Sequence, residues 1–249
     1  MADQTKGFRE VLRQGFVKTT DGERRPIHSG TSEEQCEFIQ EQMRAIGARR
    51  SLEVGLAYGI SALAICEQLN RQQDSHHIVM DPYQNTESWE GVGLHALECA
   101  GYREMVSFYD EPAEAVLPRL AAEGVRLDFA YIDAGKRLDD TLIYSFFIMQ
   151  MLRVGGRVVF DDACFPGIRE ALRYLVQDHR YSAIGRIYPD GRTWKRLLCE
   201  KIVPRIPLMN RVASKSLLKS DLELGIAANC VVLEKVSDEV ADWKWHPAV

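Results

Sequence analysis

Apolar positions along the chain change period repeatedly, and the changes set out an alternation of strands and helices. Short, almost wholly apolar runs at 51–55, 77–81, 105–109, 127–132, 157–161 and 229–234 read as strands buried on both faces. Between them, apolar residues at three- and four-residue spacing predict helices at 60–69, 90–100, 111–122, 138–152 and 167–178. Upstream, residues 6–17 read as a short helix, followed by a polar, turn-rich stretch from Thr19 to Gly30. Phe38, Ile39, Met43 and Ile46 then form a helical stripe that ends at Gly47. Two overlapping capping boxes open it, Thr31 with Glu34 and Ser32 with Gln35. Gly155-Gly156 reads as the turn into the 157–161 strand. The alternation predicts a doubly wound α/β fold: a mostly parallel sheet, helices on both faces, and ligands at the C-terminal strand ends. Residues 1–50 are expected to form an N-terminal helical cap and 51–249 a ligand-binding domain with an insertion at about 192–226.

The first long strand carries the strongest local signal. Residues 51–61 read Ser-Leu-Glu-Val-Gly-Leu-Ala-Tyr-Gly-Ile-Ser, with small residues at Gly55, Ala57 and Gly59. A strand, a glycine turn and a helix in that order let backbone approach a nucleotide-like ligand. The spacing is not Gly-x-Gly-x-x-Gly, which disfavours a dinucleotide oxidoreductase. Glu53, two residues before the turn, suits a cationic or hydroxylated ligand better than a pyrophosphate. Asp81 closes the second strand at the distance from Gly55 where ribose hydroxyls are read in such folds. In isolation, Asp81-Pro82 is an ordinary turn.

Two further strand ends carry carboxylates. Asp128 to Asp133 ends in Asp133, with Lys136 three residues on, and Val158-Val159-Phe160 ends in Asp161-Asp162. Neighbouring strands would bring all three acids to one edge of the crevice, where their repulsion favours a divalent cation. Oxygen-only ligands suit Mg²⁺ or a similar hard ion. The alternative is that Asp161 and Asp162 cap the following helix, and that Lys136 pairs with Asp139 or Asp140.

Composition adds exclusions. The net charge of −5 gives no reason to expect nucleic-acid binding, and no run approaches membrane-spanning length. The six cysteines include no Cys-x-x-Cys pair, so a zinc ribbon or dithiol motif is not expected and a cytoplasmic location is. Between Arg192 and Lys219 lie eight basic residues and one acidic residue. That stretch reads as a solvated insertion or a homodimer contact, with a lip for an acidic substrate or a membrane surface as alternatives.

The acidic-x-Gly-x-Ala-x-Gly turn resembles the first motif of class I S-adenosylmethionine (AdoMet) methyltransferases. Ile132-Asp133-Ala134-Gly135-Lys136 and Asp161-Asp162 resemble the Asp-x-x-Lys element and acidic pair of the catechol and caffeoyl-CoA O-methyltransferases. The chain is also similar to bacterial class I enzymes of natural-product or sugar modification. The resemblance covers roughly residues 30–180 and a last strand at 229–234, and it implies the Rossmann-like methyltransferase fold with an antiparallel last strand. It further implies AdoMet contacts from Glu53, Gly55, Ala57, Gly59 and Ser61, with Asp81 on the ribose. The Glu111-Pro112-Ala113 turn would lie near adenine, and Asp133 beside the methionine portion or the metal. Asp133, Asp161 and Asp162 would hold Mg²⁺, and Lys136 would take a proton from the hydroxyl of a small-molecule acceptor. A metal-independent AdoMet methyltransferase, or an AdoMet-binding protein without methyl transfer, is the alternative. Asp162 stands where many relatives have Asn, and many bacterial relatives have His at the position of Lys136.

Overall fold

The computed structural model describes residues 7–178, 180–187 and 219–239. Most of the basic stretch, 192–218, lies outside the described residues. The main sheet contains β3 (Arg50–Val54), β4 (His76–Met80), β5 (Val106–Tyr109), β6 (Leu127–Ile132), β7 (Leu152–Phe160), β8 (Tyr181–Ile187) and β9 (Cys230–Lys235). Its order is β5-β4-β3-β6-β7-β9-β8. Strands β3 to β7 pair in parallel, whereas β9 runs antiparallel to both β7 and β8. The strand order reverses between β3 and β6, the place where doubly wound sheets open a crevice.

Both sheet faces are covered, as the uninterrupted apolar strands require. Leu52, Val54, Ala130, Ile132, Val158 and Phe160 pack toward helices α5 (Ala113–Ala122), α6 (Leu138–Met151) and α7 (Pro166–Leu175). Alternate positions on the same strands, Phe129, Tyr131 and Val159, share the opposite core with Ile39, Met43, Ile65 and Leu69. Those four belong to α2 (Glu33–Ala45) and α3 (Ile60–Leu69), flanked by α1 (Phe8–Gln14) and α4 (Val92–Cys99).

Strand register decides where the chemistry can be. Val54 pairs with Met80 on one side and Ile132 on the other, and Ile132 with Phe160. The next residue on each strand is therefore level with its neighbours: Gly55, Asp81, Asp133 and Asp161. Backbone bonds continue one step past the strands, from Gly55 N to Met80 O (2.9 Å), Asp133 N to Val54 O (3.0 Å) and Asp161 N to Ile132 O (3.0 Å).

Three sequence expectations are corrected. The first helix stops at Gln14 because Gly15 turns left-handed (φ +72°) and its N–H returns to Val11 O. A hairpin follows, β1 (Phe16–Lys18) with β2 (Arg24–Pro26). Gly155-Gly156 is not a turn before the strand but lies inside β7. A Cβ on Gly156 would stand 2.9 Å from Asp128 O, so glycine permits the close approach of β6. Strand β8 escaped the sequence reading because it is only partly buried and Gly185 sits at a break in its register.

Of the two capping boxes, Ser32 with Gln35 forms. Gln35 N donates to Ser32 Oγ (3.2 Å) and Ser32 N donates to Gln35 Oε1 (2.9 Å). Ser32→Ala is expected to cost about 1 kcal/mol in urea unfolding, with an unchanged midpoint as the contrary result.

Candidate active site

The β3–α3 turn is held in a conformation few sequences permit. Gly55 has φ +93°, and a Cβ there would lie 2.7 Å from Asp133 O; at Gly59 (φ +76°) it would lie 2.8 Å from Gly93 O. Ala57, though not glycine, has φ +46°. The Asp81 carboxylate stabilises this shape. Its Oδ2 accepts from Leu56 N and Ala57 N, both at 3.0 Å, and its Oδ1 accepts from Tyr83 N at 2.8 Å. Fully buried Gln84 completes the frame, donating to Ala57 O (2.7 Å) and accepting from Gly93 N (3.2 Å).

Above the turn opens a cavity of about 400 Å³, within the size range of small-ligand sites. Gly55, Ala57, Ser61, Asp81, Ala113 and Asp133 line it, together with the aromatic rings of Tyr58, Tyr83, Trp89 and Tyr144. Trp89 stands edge-on to Tyr58, centroids 5.0 Å apart. Gly59 and Glu111 do not line it. Gly59 packs on Gly93, while Glu111 is turned outward into a two-pronged ion pair with Arg119, at 2.7 and 2.9 Å.

Glu53, expected at the ligand, lies instead beneath the turn, fully buried and absent from the cavity wall. Ser61 Oγ donates to it, His77 Nε2 stands 3.1 Å from Oε2, and Ser51 Oγ is 2.8 Å from His77 Nδ1. Burial raises its carboxyl above the ordinary range, against the pull of His77 and Ser61. Ser61 thus faces both the cavity and Glu53. His77 had no distinguishing signal in the sequence beyond its place on β4.

The carboxylates at the ends of β6 and β7 do converge, but on a lysine. Lys136 Nζ lies 2.8 Å from Asp133 Oδ1 and 2.7 Å from Asp162 Oδ2. It does not pair with Asp139, which is held by Arg137. Burial favours neutral Lys136, yet Asp133 and Asp162 outweigh it and hold its pKa above the ordinary value. Asp133 is raised by burial, with Lys136 opposing. Asp161 faces away from the lysine. Its Oδ1 accepts from Gln35 Nε2 (2.7 Å) and Asp162 N (2.8 Å), and its Oδ2 from Tyr131 OH (3.0 Å). Burial, then the charge of Asp133, pushes the Asp161 carboxyl up to about 7. Neither acid caps the next helix: α7 has Phe165 at its N-cap and no side-chain capping bond. Among the described residues, no three carboxylate, imidazole or thiol groups already surround a metal position.

Residues 7–179 match the family model described as O-methyltransferase, and the chain belongs to that family. It is 31% identical over 140 residues to caffeoyl-CoA O-methyltransferase 1 of Zea mays, covering 55% of this chain and 52% of that protein. To tricin synthase 1 of Oryza sativa subsp. japonica it is 32% identical over 143 residues, covering 55% and 54%. The match thus spans about half the length of these curated relatives. A crystal structure of an O-methyltransferase from Bacillus cereus in complex with SAH has the same fold, with a TM-score of 0.58 and 20% identity over 71% of this chain and 81% of that one. So does one from Streptomyces achromogenes involved in tomaymycin synthesis, in complex with SAM, at TM-score 0.54 and 23% identity over 62% and 73%.

The raised Asp161 pKa has a sign that can be measured. An unfolded aspartic acid loses its proton near pH 4, whereas folded Asp161 keeps it to about 7. Folding is therefore increasingly opposed between those values, and the penalty is complete above them. Without divalent cations, Asp161→Asn should melt higher than the wild type at pH 8, with the difference vanishing near pH 4. An equal shift at both pH values would contradict the assignment.

Proposed function

We propose that the chain transfers the methyl group of AdoMet to a hydroxyl of a small molecule, with help from a divalent cation. The observation that carries this reading is the position of Asp133. Its backbone packs on Gly55, it lines the cavity, and its carboxylate belongs to the acidic cluster. Cofactor pocket and acidic cluster therefore meet at one residue.

Bound AdoMet would supply a methyl group on a sulfonium, so the protein's task is to align an acceptor oxygen and dispose of its proton. Gly55 and Ala57 offer close backbone approach, Asp81 lines the cavity just past the end of β4 and Ala113 from the start of α5, and the aromatic walls keep water from the apolar parts. Asp81 Oδ2 already accepts from Leu56 N, Ala57 N and Gln84 Nε2, whereas Oδ1 accepts from Tyr83 N and retains a lone pair for a ribose hydroxyl.

The residues present fit a hard cation. Asp133, Asp161 and Asp162 offer only oxygen, and Asp133 and Asp162 already converge on one cationic centre, the Lys136 ammonium. Asp133 and Asp162 would hold the ion and Lys136 would be displaced from between them; Asp161, engaged by Gln35 and Tyr131, would have to turn from those partners to become the third ligand. A bound Mg²⁺-like ion would lower the acceptor hydroxyl's pKa and fix its position. Lys136 holds its proton tightly while paired with both carboxylates. With those carboxylates engaged elsewhere its pKa would fall, and after releasing its proton to solvent the neutral amine could take the acceptor hydroxyl's proton.

A metal-independent reading has one observation in its favour: Lys136 already provides a cation between Asp133 and Asp162. The names of the curated relatives make caffeoyl-CoA a suitable probe acceptor. The cation-assisted reading expects turnover to vanish in excess chelator and return with Mg²⁺. Asp162→Ala should lower kcat on the order of 10- to 100-fold with S-adenosylhomocysteine affinity retained. Full turnover in chelator would favour the lysine-only arrangement, and no methylation under any condition would remove the transfer reading for this acceptor.

A further inference from the structure

The peptide that follows Asp162 is held by more partners than a surface turn needs. Asp162 has φ +51°, a left-handed conformation that an aspartate tolerates without favouring. Ala163, next in the chain, is completely buried. Its N–H donates to Asn229 O at 2.7 Å, and its carbonyl accepts from Arg169 Nε at 2.7 Å. Arg169 projects from α7 and is only 8% exposed. Its Nη1 lies 2.6 Å from Asp221 Oδ2, and its Nη2 donates to Ala228 O at 3.3 Å. One guanidinium therefore ties the loop after β7 to the chain entering β9.

Burying an arginine this deeply is costly without a carboxylate partner, and Asp221 is that partner. Asp221 also pairs with Arg173 Nη1 at 2.6 Å, and Arg173 Nη2 donates to Lys219 O at 3.0 Å. Burial opposes the charge on Asp221, but the hydrogen bonds from the two arginines prevail and hold its carboxyl below the ordinary range. The proposed chemistry uses neither arginine.

We infer that Arg169 is a positioning residue for the acidic pair. By fixing the Ala163 carbonyl it holds the strained Asp162 backbone, so that the Asp162 carboxylate stays aimed at Lys136 and at the cation position. Asp221 serves as its counter-ion, which makes the geometry of the acidic pair depend on the chain at 219–229. The three acceptors lie on two separate segments, the loop after β7 and the chain at 219–229, and the planar fork of arginine reaches all of them, whereas lysine has a single ammonium to offer. The inference rests on the reading that places Asp162 at the chemistry, but its test separates the two.

The test uses the full chain with S-adenosylhomocysteine, Mn²⁺ as the probe ion read by electron paramagnetic resonance, and amide hydrogen exchange. In Arg169→Met, amides 161–165 should exchange at least about tenfold faster and Mn²⁺ should bind about 10- to 100-fold more weakly. S-adenosylhomocysteine affinity should stay within about twofold, because the turn at 55–61 rests on β3 and β4. Arg169→Lys, which keeps the charge beside Asp221, should recover part of both losses. Unchanged exchange at 161–165 would overturn the inference. So would loss of protection spread equally over strand 127–132, which would make Arg169 a general scaffold residue. A wild type that binds no Mn²⁺ would remove the cation assignment, while the exchange comparison would still decide the role of Arg169.

Discussion

Crowding of carboxylates at the ends of two neighbouring parallel strands is the constraint to which the surrounding structure answers. The register of β6 and β7 makes Asp133 and Asp161 level, and the left-handed turn at Asp162 adds a third acid beside them. Like charges in a partly dry site repel strongly enough to require compensation. Each neighbouring element supplies some: Lys136 from the loop before α6, Tyr131 from β6, and Gln35 from the first turn of α2. Gln35 serves twice, because the amide that reaches Asp161 belongs to the side chain that completes the capping box of its own helix. The start of α2 is thereby tied to the rim of the sheet.

The cavity side of the rim obeys a different rule. There the carboxylate of Asp81 faces backbone N–H groups rather than other acids, and its hydrogen bonds hold the glycine turn in shape. Glu53 is set below, where Ser61 and His77 satisfy it out of reach of the cavity. Two acids read from the sequence as equivalent ligand contacts thus have separate tasks, one on the surface of the pocket and one in its foundation. Both carry a carboxyl group, and their place in the fold makes the difference.

Local pattern was enough to recover the strands from β3 to β7, β9 and the helices between them, because uninterrupted apolar runs have few other uses in a chain of this composition. It also placed Gly55, Asp81, Asp133 and Asp161 directly after strand ends, where the register of the sheet sets them level. What it could not supply were side-chain directions and long-range partners. Gln35 and Asp161 are 126 residues apart in sequence, and nothing near either residue announces the other. Lys136 was assigned either as a proton acceptor or as a partner of nearby Asp139 or Asp140, yet its observed partners are Asp133 and Asp162. Arg169 and His77 had no local signal, because a buried polar residue reads like a surface one until the fold shows what it touches. Edge strand β8 was missed for the opposite reason: it is too exposed to leave an apolar run.

The central claim is that the glycine turn and the acidic cluster form one site, joined at Asp133. A crystal structure grown with S-adenosylhomocysteine and Mg²⁺ tests it most directly. The account predicts the nucleoside over residues 55–61 with its ribose at Asp81, a cation on Asp133 and Asp162, and Lys136 moved from between them. Ligand bound elsewhere, or Lys136 still bridging the two carboxylates with the cation absent at saturating Mg²⁺, would contradict it.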